Sequence, residues 1–415
     1  MNSQEWPVAV RRLLAVRAAR SVGQGALVVG FTLYLHALGW NAGAIGAVLS
    51  TALLLSVVLT VVVGPLSDRV GRRRFLLGYE LLVVASALLA LFSARPWALV
   101  VGALLGGFGR GANGAAGPFG PLEQAWMSHD LHPMQRARVF SLNATLGFSG
   151  MALGALVAAL PAALRGVLPG ALAYRPLFLL PLLGSLAGFV LLWRTPEALP
   201  SPVSTPSDES PPQASPDVHA PTPRSRAAEN RLLGALALAN SLNGLGIGLV
   251  APLMAYWFAL RFGHGPASIG PALAAGFVLA ATGAQLAQRI AARVGVVRTV
   301  LLMRGVGLAL LLLTPLLPWF ALAAGVWALR AAFNQGTIGV RQSLAMGLTG
   351  PQRRGLAATV NNVSMMVPRA IGPALAGVLL ARGWLLLPFF AAALCQCGYL
   401  LAYRAFFGGL SDAGA

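Results

Sequence analysis

The sequence contains no lysine, only two cysteines and only eleven acidic residues, against thirty arginines. Cys395 and Cys397 stand two residues apart in an apolar run, so on a helix they point to different faces and are not expected to form a disulfide. A metal site would need more ligands than these two thiols. We therefore expect neither a disulfide nor a metal, and no cofactor is indicated.

Sequence motifs of common enzyme classes are also missing. The chain has no Gly-x-Ser-x-Gly nucleophile elbow and no His/Asp/Glu cluster that would hold a catalytic metal. It has no Gly-Lys-Ser/Thr stretch for nucleotide phosphates, so ATP is not expected to act on it directly. The sequence does not indicate an enzyme.

Charge is scarce, and this excludes a soluble fold. Only 10% of the residues are charged and 57% are hydrophobic, whereas soluble domains carry about 25% charged residues. No soluble fold can bury so much apolar surface, so the sequence predicts a polytopic membrane protein in contact with a lipid bilayer. The net charge of +19 would suggest nucleic acid in a soluble protein. Here the arginines follow the loops, and we expect no nucleic-acid partner.

What is present is a series of long apolar runs, each able to cross a bilayer as a helix. The first run is long enough to span and is followed by many more, so we expect no cleavable signal peptide. The sequence predicts an all-α membrane protein with twelve transmembrane helices at 18–38, 43–65, 75–94, 97–127, 139–161, 176–193, 232–258, 268–288, 299–317, 319–345, 357–380 and 385–403.

A segment of different chemistry separates the sixth and seventh runs. Residues 195–230 are rich in proline, serine and acids and contain almost no large apolar side chain. Such a segment cannot bury enough surface to order itself. We therefore expect an N-terminal six-helix half at 1–194, a flexible cytoplasmic linker at 195–230, and a C-terminal six-helix half at 231–415.

The arginines divide unequally between the two sides of the predicted bundle. Nineteen fall on the side of the termini and the linker, five on the other side and six inside spans. Cytoplasmic loops carry the excess of basic residues. Both termini are thus expected in the cytoplasm. The Ala-, Leu- and Gly-rich composition hints at a GC-rich bacterial genome, and so at a multi-pass protein of the bacterial cell (inner) membrane.

The two halves repeat each other weakly. GWNAGAIG at 39–46 lies over GHGPASIG at 263–270, and without a gap Arg69-Val70-Gly71 lies over Arg293-Val294-Gly295. Further on, PMQR at 133–136 lies over PQRR at 351–354. Two similar six-helix units can rock about a central site that opens alternately to each side.

The stretch GPLSDRVGRRR at 64–74 concentrates charge between the second and third runs. Gly64 would let the end of the helix pack closely, and Gly71 would permit a turn with positive φ. Arg72, Arg73 and Arg74 would hold the turn on the cytoplasmic side. Asp68, an acid in a basic loop, suits a helix N-terminus or an arginine of the other half.

This stretch resembles the signature of the major facilitator superfamily, most like its twelve-helix drug/metabolite:proton antiporter branch. The resemblance implies a conformational latch that stabilises the outward-open state, with the aspartate meeting the start of helix 11 and an arginine meeting an acid in helix 4. The second half has Ala292, Val296 and Val297 in place of the charged residues, so the latch is expected on one side only. The predicted latch consists of Gly64, Asp68, Arg69, Gly71, Arg72, Arg73 and Glu123.

Ionisable residues at membrane depth are functional candidates because they are costly to place there. Arg110 lies in GRGANGAAG, which resembles the family's Arg-x-x-Gln-Gly motif, with Asn113 in place of glutamine. The resemblance implies proton coupling at Arg110. Glu80 in helix 3 is a second candidate proton carrier, because burial can favour its protonation; its alternative is a structural ion pair.

Three central arginines, Arg110, Arg330 and Arg369, have few acids near them in the sequence and predict a positively charged cavity that favours an anionic or zwitterionic solute. Helix 1 is expected to offer only Ser21, Gln24 and His36 as polar residues, and it lacks the acid that is typical of drug:proton exporters. The predicted substrate-binding residues are Gln24, Asn113, Asn240, Asn243, Arg330, Asn334, Gln335 and Arg369.

Taken together, these features predict a secondary transporter that moves a small organic solute by alternating access, as a proton-coupled exporter. The central arginines and the missing acid in helix 1 favour an alternative, an organic-anion uptake carrier or exchanger. A non-transporting membrane receptor on the same fold is a further alternative. We expect a monomer whose partners are the solute, protons and the lipid bilayer.

Overall fold

The computed structural model of the chain describes residues 6–111, 115–128, 131, 133–196, 226–347 and 354–408, and within these ranges the regular structure is helical, with no strand. The N-terminal half contains Val8–Ala37 (α1), Ala42–Val70 (α2), Arg72–Phe92 (α3), Pro96–Gly106 (α4), Gly120–Ser128 (α5), Pro133–Val157 (α6), Leu160–Ala163 (α7) and Leu179–Trp193 (α8). The C-terminal half contains Arg226–Val250 (α9), Met254–Phe262 (α10), Pro266–Val294 (α11), Val296–Leu313 (α12), Phe320–Gly336 (α13), Ile338–Gly347 (α14), Arg354–Ala381 (α15) and Leu387–Phe407 (α16).

These helices confirm the all-α membrane fold. Within the described ranges, nine helical stretches are long and apolar enough to cross a membrane, and the apolar helix α4 is shorter. Large side chains on their outer faces are exposed, such as Phe92 and Leu394, each 76% exposed. Lipid can cover such faces because the helices satisfy their own backbone hydrogen bonds.

The repeat that the sequence predicts is visible in the backbone. Gly39 and its counterpart Gly263 have φ values of 83° and 68°. Gly71 and its counterpart Gly295 have φ values of 102° and 85°, and each separates two consecutive helices. Positive φ is cheap only for glycine, so both halves use the same residue for the same turn.

The two halves share one apolar core at one end of the molecule and have separate cores at the other. The shared core joins residues of α1, α2 and α4 with residues of α10, α11 and α15. At the end where α1 begins, one core contains only N-terminal residues, such as Val10 and Leu192. Another contains only C-terminal residues, such as Ala235 and Phe407. The halves are therefore joined at the end opposite the termini.

Small residues bring the halves into contact at the joined end. A Cβ atom on Gly46 of α2 would lie 2.2 Å from the carbonyl oxygen of Pro373 in α15. The Ser50 hydroxyl accepts a 2.7 Å hydrogen bond from the Ala374 backbone N–H in the same helix pair. On the opposite flank, a Cβ on Gly270 of α11 would lie 2.5 Å from the carbonyl oxygen of Ala155 in α6. Such close backbone approach is typical of membrane helix pairs.

The structure corrects two predicted helices and one linker boundary. The first helix begins at Val8, not at 18, and α9 begins at Arg226, inside the predicted linker. The predicted continuous helix at 97–127 is interrupted: α4 ends at Gly106, and α5 begins at Gly120. Glycine is the least favourable helix former after proline, and this stretch is rich in glycine and contains Pro118, which lowers its helix propensity.

Candidate functional site

A cavity of about 120 Å³ lies between the two halves. By its size it has room for several water molecules. Its walls are largely apolar, and its charged and amide side chains are Arg110, Gln335 and Arg369. Among the residues that the structure describes, no carboxylate lines this cavity. The cavity is therefore positively charged, as the sequence predicts.

Arg110 reaches the cavity from the interruption between α4 and α5. The backbone there turns through positive φ at Gly107, Gly109 and Gly111, with values of 71°, 77° and 61°. Gly109 and Gly111 line the cavity beside Arg110. At membrane depth, non-helical backbone is tolerated where it is buried in protein or lines a water-filled cavity. The interruption thus marks the site, although the sequence predicted a helix through Arg110.

The opposite wall comes from the C-terminal half. Arg369 lies on α15, and Gln335 lies near the end of α13. Trp327, also on α13, contributes an aromatic wall, and the Arg330 guanidinium stacks over its ring at 4.7 Å from the centroid. Arg330 therefore lies behind the cavity wall and is not among the residues that line it.

Glu80 and Glu123 form a buried ionic triad with Arg20 of α1. Arg20 donates to Glu80 Oε1 from Nη2 at 2.6 Å and from Nε at 3.1 Å. Its Nη1 donates to Glu123 Oε2 at 3.1 Å. The side chains of Arg20, Glu80 and Glu123 are 3%, 0% and 2% exposed, in that order. Both acids therefore pair within their own half, and Glu80 takes part in an ion pair, the alternative given for it above.

Glu123 also organises the interruption. Its Oε2 accepts a 3.2 Å hydrogen bond from the Ala116 backbone N–H, just before the short 3-10 turn Gly117–Phe119. Gln24 donates a 2.9 Å hydrogen bond to the Ala115 carbonyl from α1. Gln24 lines a smaller cavity of about 20 Å³ together with Arg20, and among the described residues Gly109 alone borders both this space and the central cavity. Asn113 lies outside the described residues.

Three of the predicted polar residues pack inside the C-terminal half: Asn240 and Asn243 of α9 and Asn334 of α13. Asn243 and Asn334 each accept a hydrogen bond from Arg304 of α12, the latter at 2.7 Å. Asn240 donates to the Asn361 side chain at 3.0 Å and joins α9 to α15. These three residues connect helices and are not among those that line the central cavity.

The predicted latch is described only in part. Gly71 has the expected positive φ, and Arg73 donates to the Trp193 carbonyl and stacks over its ring at 5.7 Å. Among the described residues, a Cβ on Gly64 would meet nothing within 4 Å, so this conformation does not show the close packing expected there. Arg72 lies in the first turn of α3. The Asp68 and Arg69 side chains lie outside the described part of the chain.

Arg20 is the main residue that sequence reasoning missed: it lies inside the predicted first helix, 18–38, but was not counted among the polar residues of that helix. The recurrence of Leu13, Val16, Arg17 and Arg20 on one buried face gives a signal of a helix that starts earlier. The described ranges contain no group of three or more His, Cys, Asp or Glu side chains able to hold a metal ion.

Comparison with known families agrees with this architecture. A family described as "Major Facilitator Superfamily" matches residues 13–233, just over half of the chain. An uncharacterized membrane protein of Saccharomyces cerevisiae is 29% identical over 126 residues, which are 30% of this chain and 28% of the yeast protein. The chain thus aligns with less than a third of that protein's length.

Solved structures share the fold over nearly the whole chain. A nucleoside transporter crystallised as a mutant has a TM-score of 0.70 at 12% identity, covering 96% of this chain and 100% of that one. A D-xylose-proton symporter has a TM-score of 0.70 at 16% identity, covering 96% and 97%. A bacterial homologue of the human lysosomal transporter Spinster, inward-facing and unoccupied, has a TM-score of 0.69 at 14% identity, covering 96% and 97%.

Proposed function

The chain belongs to the Major Facilitator Superfamily and is a membrane transporter, and from that premise we propose that it carries a small organic anion by alternating access. One observation carries the proposal: Arg110 and Arg369, from opposite halves, line one cavity in which no described residue supplies a carboxylate. Buried charge is costly unless it is paired. A carboxylate or phosphate on the solute would supply the missing partner, and guanidinium groups bind both well.

The walls of the cavity constrain the rest of the solute. Trp327, Phe277 and Met254 present apolar surface, and Gln335 supplies an amide that can donate or accept a hydrogen bond. An anion with a compact apolar body and one further polar group would satisfy these walls. A ligand of this kind would contact both halves at once, and binding would therefore favour their closure around it.

The shared core at the end opposite the termini supports an inward-facing state for this conformation. The arginine bias in the sequence predicts that the termini lie in the cytoplasm. The halves have separate apolar cores at that end and a common core at the other. Movement to the outward-facing state would then require the Gly46–Pro373 approach between α2 and α15 to open.

Flux measurements in proteoliposomes test the proposed solute class. The probes are a small aromatic carboxylate, its neutral amide and the corresponding amine. We expect the carboxylate to move at least about ten times faster than the amide, because a charge-assisted hydrogen bond contributes about 1.5–3 kcal/mol. Arg110→Gln and Arg369→Gln should each abolish that preference.

The matched control is Arg289→Gln, which removes an exposed arginine from α11. Its fluxes should equal those of the unsubstituted protein. Equal flux of the carboxylate and its amide in the unsubstituted protein would contradict an anion site. If none of the three solutes moves although the protein is folded, the receptor alternative is favoured.

Proton-coupled export is the second candidate function, and the Arg20–Glu80–Glu123 triad favours it. Glu80 Oε2 and Glu123 Oε1 are buried and lack a hydrogen-bond partner among the described residues. A proton can occupy either oxygen, and Gly109 separates this region from the central cavity. In this proposal Glu80 carries the proton and Arg110 senses the solute.

A pH-sensitive dye trapped inside proteoliposomes tests the coupling. We expect carboxylate movement to be accompanied by proton movement in the unsubstituted protein. Glu80→Gln should abolish proton movement while solute-for-solute exchange continues, and Arg110→Ala should abolish both. Solute movement without proton movement in the unsubstituted protein would reject coupling and leave a uniporter or exchanger of anions.

A further inference from the structure

A cluster of three arginines lies inside the C-terminal half, behind the wall of the central cavity. Arg304 and Arg330 are 2% and 6% exposed, and Arg341 lies close enough to Arg304 to interact with it electrostatically, as Arg330 does. The Nε atom of each is buried and has no hydrogen-bond partner among the described residues. Tyr403 is 2% exposed, and its hydroxyl is also buried and without a hydrogen-bond partner among the described residues.

Within the described part of the chain, none of the three arginines forms an ion pair with a carboxylate. The sequence contains no aspartate or glutamate between Glu229 and Asp412. Glu229 lies in the first turn of α9, fourteen residues before Asn243, which contacts Arg304. Fourteen helical residues span about 21 Å, too far for an ion pair. Arginine stays protonated in proteins, so the cluster cannot shed its charge.

The repeat shows what is missing. The sequence alignment of the halves places Glu80 over Arg304 and Glu123 over Arg341. In α1, Arg20 binds Glu80, and in the equivalent helix α9, Asn243 binds Arg304. The N-terminal triad thus contains its own counter-ions. Its C-terminal counterpart, Asn243–Arg304–Arg341, has two cations where the first half has two anions.

We propose that the C-terminal half binds a small inorganic anion among Arg304, Arg330 and Arg341, at a site separate from the central cavity. The anion takes the place of the missing carboxylates and accepts hydrogen bonds from the free Nε groups and from the Tyr403 hydroxyl. Burial restricts the site to small ions. Trp327 separates it from the solute, because its ring lines the central cavity and Arg330 stacks on it.

The site does not depend on the identity of the transported solute. It would stabilise the folded protein, because a ligand that binds only the folded state raises its stability with concentration. At this site only the Arg330 side chain would lie between the anion and Trp327. Binding can therefore change the position of Arg330 and hence the shape of the cavity wall.

The test is thermal unfolding of the purified full chain in nanodiscs, with no organic solute present. Sodium chloride and inorganic phosphate are each compared with sodium gluconate at constant ionic strength. We expect chloride or phosphate to raise Tm by about 2 °C or more per tenfold increase in concentration above its Kd, and gluconate to have no effect. The same Tm in all three salts, at every concentration of chloride or phosphate, would overturn the proposal.

Three variants locate the effect. Arg304→Gln should abolish the anion-dependent rise, whereas Arg289→Gln, on the exposed side of α11, should retain it. Arg304→Glu should raise Tm in gluconate and remove the response to chloride and phosphate, because it restores the acid present at Glu80. An undiminished response in Arg304→Gln and Arg304→Glu would overturn the assignment. Arg110→Gln should keep the response, which separates this site from the one that carries the solute.

Discussion

Replacement of Arg20 by glutamine should destabilise the N-terminal half strongly. Arg20 is the cation that both Glu80 and Glu123 contact, at 2.6 Å and 3.1 Å, and all three side chains are almost fully buried. Arg17 is the next arginine along α1 and lies within electrostatic range of Glu123, but it makes neither of these ion pairs. Glutamine can replace a hydrogen bond, not the charge.

The expected magnitude follows from the burial. Removal of one partner from a buried ion pair costs about 3–5 kcal/mol, because it leaves an uncompensated charge. Here one substitution leaves two carboxylates without that partner, so the upper part of the range applies. For a unit of about 190 residues, such a loss lowers Tm by roughly 6–20 °C.

Thermal unfolding in nanodiscs, followed by tryptophan fluorescence, measures this loss. Arg11→Gln is the matched control, because Arg11 is exposed on the same helix and its loss should change the free energy of unfolding by less than about 0.5 kcal/mol. Glu80→Gln and Glu123→Gln added to Arg20→Gln should restore most of the stability, because a neutral triad has no unpaired charge. A Tm for Arg20→Gln equal to that of Arg11→Gln would refute the ionic triad.

Three further predictions concern the backbone and the interface between the halves. Gly46→Leu places a side chain against the Pro373 carbonyl and should part the halves at that end. The separation is measured as increased labelling, from outside, of a cysteine introduced by Ser50→Cys. Gly64→Leu, in open space, is the control, and equal labelling of the two variants would contradict the contact. Gly71→Ala should cost about 1–3 kcal/mol in unfolding experiments, because alanine is strained at φ 102°, and a neutral effect would be inconsistent with that turn. Asp68→Asn should shift the protein towards the inward-open state, and unchanged cysteine accessibility on both faces would reject the latch.

The sequence by itself determined the class of protein and its symmetry. Scarce charge and long apolar runs require a helical membrane protein, since helices satisfy their backbone hydrogen bonds locally. The repeated glycines, such as Gly71 and Gly295, required the same positive-φ turns in both halves, and the structure has them. The placement of Arg110 and Arg369 at the centre also followed from their depth in the apolar runs.

The interruption at Arg110 was determined partly by the sequence and partly by the tertiary structure. Its glycines and prolines lower helix propensity, but in a membrane a weak helix usually persists because unpaired backbone groups are costly. The helix ends here because Gln24 of α1 and Glu123 of α5 bind the backbone groups of Ala115 and Ala116. Glu123 is seven residues from Ala116, but Gln24 is 91 residues from Ala115, so local propensity alone did not decide the outcome.

Only the tertiary structure decided which charges meet. Arg20 is 60 residues from Glu80 and 103 from Glu123, and its partners depend on how α1 packs against the neighbouring helices. Depth along a helix is encoded locally by its length and polarity, whereas the neighbour that a side chain faces depends on helix rotation and crossing. The sequence thus showed that the chain has no acid between Glu229 and Asp412, and the packing of α9, α12 and α13 gathered arginines of this half around Arg304.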